Sequence, residues 1–311
     1  MTLALLREFA MQILRNLSSP DPALMPAGLL AAITDARPPA LCAADVAVVV
    51  AHPDDETIGC GGLLTRLRDV TVVIVTDGAP RNLADARARG FDTAAAYAAG
   101  RSAELEAALT VAGVASDALV RLGAVDQEAA LHLALLTRRL AETLQFRGIH
   151  HVLTHAYEGG HPDHDATAFI AHAAGAVLLQ RCIQPLSVVE MPFYHLGPAG
   201  MVVQRFANTE RGSIELRLTE SELARKQMMM AAHATQRALL AAFTGDIERF
   251  RLAPRYDFTR LPNDGRLLYK HQAWEVTAER WQRLAATALG ELGLTTKGVA
   301  RLGASSSALP T

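Results

Sequence analysis

The sequence predicts an α/β fold with a mostly parallel sheet and a smaller α+β region towards the C-terminus. Short apolar runs rich in β-branched residues, such as residues 46–51 and 70–76, are separated by longer segments of helix-forming composition. This alternation recurs between about residues 44 and 200. Continuous apolar strands that alternate with helices are typical of a parallel sheet covered on both faces. The pattern therefore predicts a Rossmann-like three-layer sandwich.

The elements follow one another in a regular order. An amphipathic helix is predicted over residues 3–17, and a proline-punctuated segment follows it. The predicted strands cover residues 46–51, 70–76, 119–122, 151–154 and 186–191. The predicted helical segments cover residues 63–67, 93–112, 129–145 and 165–179. The polar, arginine-rich segment 78–91 is interpreted as a loop over the carboxyl edge of the sheet.

The pattern changes after about residue 198. Residues 202–206 and 213–218 are predicted to form a hairpin across residues 208–212, and a helix is predicted over residues 220–243. We interpret the chain, residues 1–311, as a single domain with four parts. These parts are a helical lead-in over 1–43, an α/β core over 44–200, a C-terminal region over 201–300 and a mobile tail over 301–311.

Length, charge and cysteine content limit the classes of protein to which this chain is expected to belong. A chain of 311 residues, half of them apolar, is long enough for one sizeable core. A formal net charge of -2 gives no reason to expect a nucleic-acid or anionic-membrane partner. Cys42, Cys60 and Cys182 lie far apart, which fits a reducing compartment. No signal peptide or apolar run long enough to cross a bilayer is seen, so a cytoplasmic protein is expected. No pattern predicts the oligomeric state.

Two motifs carry the chemistry. HPDDE, at residues 52–56, comes directly after the first core strand, and HPDH, at residues 161–164, follows the strand predicted over 151–154. Ligands bind beyond the carboxyl ends of strands in open parallel sheets. Imidazoles and carboxylates are the ligands of a catalytic zinc, which takes three protein groups and a water whose pKa it lowers to about 7. Together the motifs also offer a base for that water and a donor for an oxyanion.

Each motif also has a plainer interpretation. A single histidine after a strand is often structural, and carboxylates at a helix start often serve as caps, as Glu56 would. The glycine-rich segment GCGG, at residues 59–62, looks like the turn of a dinucleotide or methyltransferase fold. In those folds the glycines follow the first strand immediately, whereas HPDDETI intervenes here, so close helix packing is the preferred interpretation. A non-catalytic metal- or sugar-binding protein is a further alternative, which Asp54 and a complete ligand set oppose.

AHPDDETIGCGG (51–62) together with GGHPDH (159–164) resembles the PIG-L/LmbE-like family of zinc-dependent N-acetylglucosaminyl deacetylases. The likeness spans about residues 44–200, and AAHATQ (231–236) is similar to a later helix motif of that family. The resemblance implies a hydrolase that removes the acetyl or acyl group from an N-acetylglucosamine-type amino sugar or its conjugate. An amidase that cleaves a larger amide, like the mycothiol conjugate amidases, is the alternative within the family.

The resemblance also implies residue roles. The implied metal ligands are His52, Asp55 and His164. Zn²⁺ is the expected ion, with another divalent cation as the alternative in the cell. Asp54 would be the general base, and His161 would stabilise the tetrahedral intermediate, oriented by Asp163.

Other candidates lie outside the two motifs. Arg101 and Glu104 match an RxxE pattern of the family, and Arg101 would reach a sugar hydroxyl or phosphate unless the two side chains pair along a helix. His233 and Gln236 lie one turn apart and are candidates for lining the substrate pocket, with core packing as the alternative. Tyr157 and Glu158 would close the site or form its loop. Trp274 and Trp281 would form a sugar-stacking platform or pack in the core. The remaining candidates, interpreted as structural, are His150, His151, His155 and His195.

Overall fold

The computed structural model describes residues 27–35, 41–183, 185–207, 212–272, 274–296 and 299. The helix predicted over residues 3–17, most of the turn predicted over 208–212 and the tail predicted over 301–311 lie outside them. The strands, numbered in chain order, are β1 Leu41–Cys42, β2 Val46–Val50, β3 Leu67–Arg68, β4 Thr71–Thr76, β5 Leu119–Ala124, β6 His151–His155, β7 Ser187–Met191, β8 Tyr194–Gly197, β9 Gly200–Val203, β10 Ile214–Arg217 and β11 Ile247–Leu252.

Helices lie between most of these strands. The α-helices are α1 Ala27–Thr34, α2 Asp55–Leu64, α3 Ala84–Ala88, α4 Ala94–Ala112, α5 Leu133–Phe146, α6 Pro162–Gln180, α7 Glu220–Ala232, α8 Arg237–Leu240 and α9 Ala278–Glu291. Single turns of 3₁₀ helix cover Ser116–Ala118, Ala129–His132, Ala234–Gln236, Asn263–Gly265 and Leu268–His271. Among the described residues, none of the helices combines the length and apolarity that crossing a bilayer requires.

The central sheet has seven strands in the order β10-β11-β7-β6-β2-β4-β5. Strands β7, β6, β2, β4 and β5 pair in parallel, and β11 and β10 extend the sheet in antiparallel fashion. The chain runs outward from β2 through β4 to β5 and then returns to β6 on the other side of β2. The carboxyl ends of β2 and β6 therefore frame the point where the winding reverses, which is where ligands bind in such sheets.

Both faces of the sheet are covered by an apolar core. Along β2 the side chains alternate between the two faces, as the pleat dictates. Ala47 and Val49 pack with α5, α6 and α9 on one face. Val46, Val48 and Val50 pack with α2, α4 and α7 on the other. These two layers of helices confirm the predicted α/β sandwich with its mostly parallel sheet.

The segment 78–91 was predicted to be a loop, but it contains the short helix α3. This short helix buries Ala86 against Tyr97 of α4, so a small apolar side chain fixes an otherwise polar turn of helix. The segment therefore has a defined structure beside the carboxyl edge of the sheet.

The hairpin predicted between residues 202–206 and 213–218 is wrong. Strand β9 pairs with β8, and β10 pairs with β11, which lies about thirty residues further along the chain. Alternating polarity marks a strand but does not choose its partner. Gly197 and Gly200 make the tight turn between β8 and β9, and Gly200, at φ 125°, takes a conformation that favours glycine.

The helix predicted over residues 220–243 is shorter. It starts at a capping box formed by Thr219 and Glu222 and ends at Ala232. His233 leaves the helical conformation with φ -82° and ψ 60°. Its ring turns into the protein interior instead of continuing the helix surface.

Candidate active site

Both sequence motifs lie at the winding reversal between β2 and β6. HPDDE occupies the turn from β2 into α2. HPDH opens α6, which begins three residues earlier than predicted, with His161 as its N-cap and a proline at its first position. Proline suits this position because its missing N–H would have no helical partner. His164 therefore lies in the first turn of the helix, where its side chain reaches towards the β2 turn.

The three residues implied as metal ligands lie in contact. His52 Nδ1 is 3.1 Å from Asp55 Oδ2, and His164 Nε2 is 3.3 Å from Asp55 Oδ1. The two imidazole rings are 5.2 Å apart between centroids. All three residues are buried. The fold thus brings two imidazoles and a carboxylate together from two distant parts of the sequence.

The donor set fits a divalent cation. Neither ring nitrogen of His164 has a hydrogen-bond partner, although the side chain is buried. Burial lowers the pKa of His164 to about 4, so its imidazole is neutral near pH 7, which is the form that binds metal. Burial alone would raise the pKa of Asp55, but the imidazoles of His164 and His155 hold it well below its usual value. Two imidazole nitrogens and one carboxylate are a common ligand set for zinc.

The other nitrogen of His52 is also held. His52 Nε2 lies 3.3 Å from Asp126 Oδ1 and 3.3 Å from Asp163 Oδ2. The carboxylate of Asp163 accepts further hydrogen bonds from the backbone N–H groups of Gln127 and Ala129. Carboxylates in this position orient a metal-binding histidine and fix its tautomer. The side chain of Asp163 therefore supports His52.

His161 is oriented by the backbone of Asp163. Its Nδ1 accepts a hydrogen bond of 3.1 Å from the N–H of Asp163. A neutral ring that accepts at Nδ1 carries its proton on Nε2. Burial lowers the pKa of His161 well below its usual value, so the neutral form is favoured. His161 thus offers an N–H donor at the wall of the cavity.

Asp54 and Arg101 form a buried pair beside the cluster. Arg101 Nη2 lies 2.9 Å from Asp54 Oδ2, and both side chains are almost fully buried. Burial raises the pKa of Asp54 to about 7, against the opposing effect of Arg101. Arg101 does not pair with Glu104 along the helix. Glu104 instead accepts hydrogen bonds from the backbone N–H and the hydroxyl of Thr235.

The cluster opens onto a cavity of about 260 Å³. Asp54, His161 and His164 line it, as do Arg101 and Gln236. Other side chains that the sequence did not assign as site residues also line it; they include Asp126, Tyr97, Tyr194, Pro80 and Leu239.

His233 does not line the cavity, because its side chain is fully buried behind it. The two tryptophans lie in different parts of the structure. Trp274 lines the cavity with its ring 4.4 Å from that of His161. Trp281 lies in the core, where its Nε1 donates to the hydroxyl of Tyr157.

Asp126 is one of the site residues that the sequence reasoning missed. Asp126 lies two residues beyond the end of β5, so the same rule of strand ends that found HPDDE would have found it. His155, interpreted as structural, lies 3.5 Å from Asp55 Oδ2 and accepts a hydrogen bond from Ala51 N–H at its Nε2. Because that nitrogen accepts from backbone, the neutral ring carries no proton there to donate to Asp55.

The glycines of GCGG serve packing, as predicted. A Cβ on Gly59 would lie 2.8 Å from the ring of Phe193, and one on Gly62 would lie 2.2 Å from Leu218. Only hydrogen atoms fit at these positions, so α2 approaches its neighbours closely.

The fold and this cluster define an α/β protein with a candidate metal centre at the winding reversal. Residues 47–175 match the model of the PIG-L family, GlcNAc-PI de-N-acetylase, which confirms the resemblance carried by the two motifs. The match includes HPDDE and HPDH and ends before the C-terminal region.

Solved structures share the fold. The zinc inhibited form of teicoplanin deacetylase Orf2 aligns over 68% of this chain and 98% of its own, at 17% identity and a TM-score of 0.51. The antimicrobial reagent A40926 pseudoaglycone deacetylase Dbv21 aligns over 68% of this chain and 97% of its own, at 18% identity and a TM-score of 0.52. At this level of identity the likeness establishes the fold. No curated protein sequence matches the chain significantly.

Proposed function

We propose that this protein is a zinc-dependent hydrolase that removes the acetyl or another acyl group from an N-acetylglucosamine-type amino sugar or its conjugate. The observation that carries the proposal is the meeting of His52, Asp55 and His164 with Asp54 and His161 at one cavity. The family model over residues 47–175, that of GlcNAc-PI de-N-acetylase, supports the choice of bond and sugar.

The ion would be held by His52, Asp55 and His164. A zinc ion in such a set lowers the pKa of a water to about 7 and polarises a carbonyl. Asp163 and Asp126 would keep the imidazole of His52 in place through its second nitrogen. The backbone N–H of His52, which donates to Asp55 Oδ2 at 2.7 Å, would keep the carboxylate of Asp55 in place.

Asp54 would move the proton. Its carboxylate lines the cavity, and its pKa of about 7 lets it accept a proton from the attacking water and release it again near neutral pH. The water oxygen adds to the amide carbon, and Asp54 then protonates the leaving nitrogen as the C–N bond breaks. A carboxylate and a free amine result. Arg101 keeps the carboxylate of Asp54 directed towards the cavity.

His161 would stabilise the charge that develops on the carbonyl oxygen. Its Nδ1 is engaged by the N–H of Asp163, so its Nε2–H remains to donate. Because the donor is fixed by the helix start, it needs no reorganisation when the charge forms.

The first test is metal content and activity together. Elemental analysis of the purified protein should find about one zinc or similar ion per chain, and His164→Ala should lose it. The metal-loaded protein should release acetate from N-acetylglucosamine derivatives. Release of a bulky acid from a larger amide, without acetate release from N-acetyl sugars, would favour the amidase instead. Metal without any hydrolysis would favour a binding protein, and no metal after reconstitution would overturn the proposal.

A further inference from the structure

The backbone at Asp54 is strained. Asp54 has φ 122° and ψ -27°, a conformation that side-chain-bearing residues rarely adopt. Its cost in free energy is tolerated only where the surroundings fix the chain, and such residues cluster at functional sites.

Two groups hold the peptide unit that joins Pro53 to Asp54. The N–H of Asp54 donates to Glu56 Oε2 at 3.0 Å. The carbonyl of Pro53 accepts from Arg101 Nη2, the atom that also reaches the Asp54 carboxylate. Glu56 and Arg101 thus fix the strained unit from opposite sides.

Glu56 is itself held by a residue far away in sequence. Its Oε1 accepts a hydrogen bond from Thr57 Oγ1 and lies 3.2 Å from His233 Nε2. Both Glu56 and His233 are 0% exposed, and neither lines the cavity. These two side chains therefore cannot touch a substrate there, although they are one and two contacts away from Asp54.

The segment that carries His233 is fastened to α4. Two residues on, the backbone N–H and hydroxyl of Thr235 donate to the two carboxylate oxygens of Glu104, at 2.9 Å and 2.7 Å. Helix α4 also carries Arg101, three residues before Glu104. Helix α4 therefore carries Arg101, which contacts Asp54 directly, and also fastens the segment of His233, which reaches Asp54 through Glu56.

We propose that Glu56 and His233 are positioning residues that hold the Asp54 peptide in its strained conformation and so keep its carboxylate at the cavity. This proposal rests on the proposed function of Asp54 as the base. It gives the C-terminal region, which lies outside the family match, a part in the reaction through His233. It also gives Glu56 a role beyond capping α2.

The test compares paired variants in the metal-loaded full-length protein. Glu56→Ala and His233→Ala should lower kcat by about tenfold or more, which is less than the full loss of a general base would cost. KM should stay within about threefold and metal content should not change. Glu56→Gln, which keeps an acceptor for the Asp54 N–H, should recover most of kcat. The matched control is His172→Ala, since His172 is a buried histidine remote from the cavity, and its kcat should equal that of the wild type.

Several results would overturn the proposal. These are a normal kcat in the two alanine variants, a raised KM with kcat intact, or a loss of metal that accounts for the loss of activity. If Glu56→Ala does not fold, His233→Gln carries the same test with less loss of volume.

A crystal structure of His233→Ala or Glu56→Ala separates this proposal from the proposed function. The φ angle at residue 54 should relax from its strained value whether or not any substrate has been found. An unchanged φ angle would overturn the positioning role alone. A wild type without hydrolytic activity would instead overturn the proposed function.

Discussion

Asp54 shows, at the scale of one residue, how function and stability oppose each other. Its carboxylate belongs at the cavity, but its φ of 122° is a conformation that glycine adopts far more readily. We predict that Asp54→Gly is more stable than Asp54→Ala by about 1 kcal/mol, because both lose the carboxylate but only glycine relieves the strain. Urea unfolding of the two variants measures the difference.

The control for this comparison is an ordinary helical position. Glu106 is an exposed residue of α4, and there Glu106→Gly should be less stable than Glu106→Ala by about 1 kcal/mol. A stability difference between the glycine and alanine variants that has opposite signs at the two positions would locate the strain at Asp54. The same sign at both would contradict the strained backbone.

His161 allows the roles of donor and metal ligand to be separated. It lies close enough to His52 and His164 for one ring nitrogen of each to surround an ion. We predict that His161→Asn keeps the metal and the stability, since asparagine caps helices well, but loses about 10²–10³-fold in kcat with the oxyanion donor. Metal analysis and steady-state kinetics test this. Loss of the metal would make His161 a ligand and would contradict the assigned role.

The α2 helix carries a packing requirement that can be tested by itself. A Cβ on Gly62 would lie 2.2 Å from Leu218, so Gly62→Ala should destabilise the fold by about 1–3 kcal/mol through overpacking. Gly290, within α9, has nothing within 4 Å of such a Cβ. Gly290→Ala should therefore stabilise by up to about 1 kcal/mol through helix propensity. Thermal unfolding of Gly62→Ala and Gly290→Ala measures both effects. Equal changes in stability would argue against the close contact with Leu218.

At the scale of elements, the sequence predicted what depends on neighbours along the chain. The parallel strands and the larger helices of the core were predicted within a few residues, because their apolar periodicity is local and strong. The pairing of β9 with β8 and of β10 with β11 was not predicted, because partner choice depends on which strands lie beside them in space. Likewise, α7 ends at Ala232 because His233 is buried against Glu56, and no residue near position 232 signals that contact.

At the scale of the whole molecule, the features of the candidate site also fall into two groups: those that follow from neighbours along the chain and those that depend on contacts in space. HPDDE and HPDH could be assigned because each motif is contiguous and follows a strand. Asp126 also follows a strand and could have been assigned by the same rule, whereas the hydrogen bond of His155 to Ala51 could not, because it depends on a side chain finding a partner across the sheet. The same holds for Asp163, whose carboxylate turns to His52 and leaves the orientation of His161 to backbone.

Four carboxylates crowd this site, those of Asp54, Asp55, Asp126 and Asp163, and all are buried. Their mutual repulsion should make the folded state depend on a cation. We predict that zinc at about a hundred times its dissociation constant raises the free energy of unfolding by about 2.7 kcal/mol over the protein in chelator.

Thermal unfolding with zinc and with a chelator measures this shift, which should amount to several degrees for a chain of this size. His164→Ala should lose the shift because a ligand is missing, whereas His172→Ala should keep it because that histidine lies away from the cluster. A shift that survives in His164→Ala would mean that the stabilising ion binds elsewhere. Equal melting temperatures in the wild type would mean that zinc does not bind the folded state preferentially, and would contradict the metal centre.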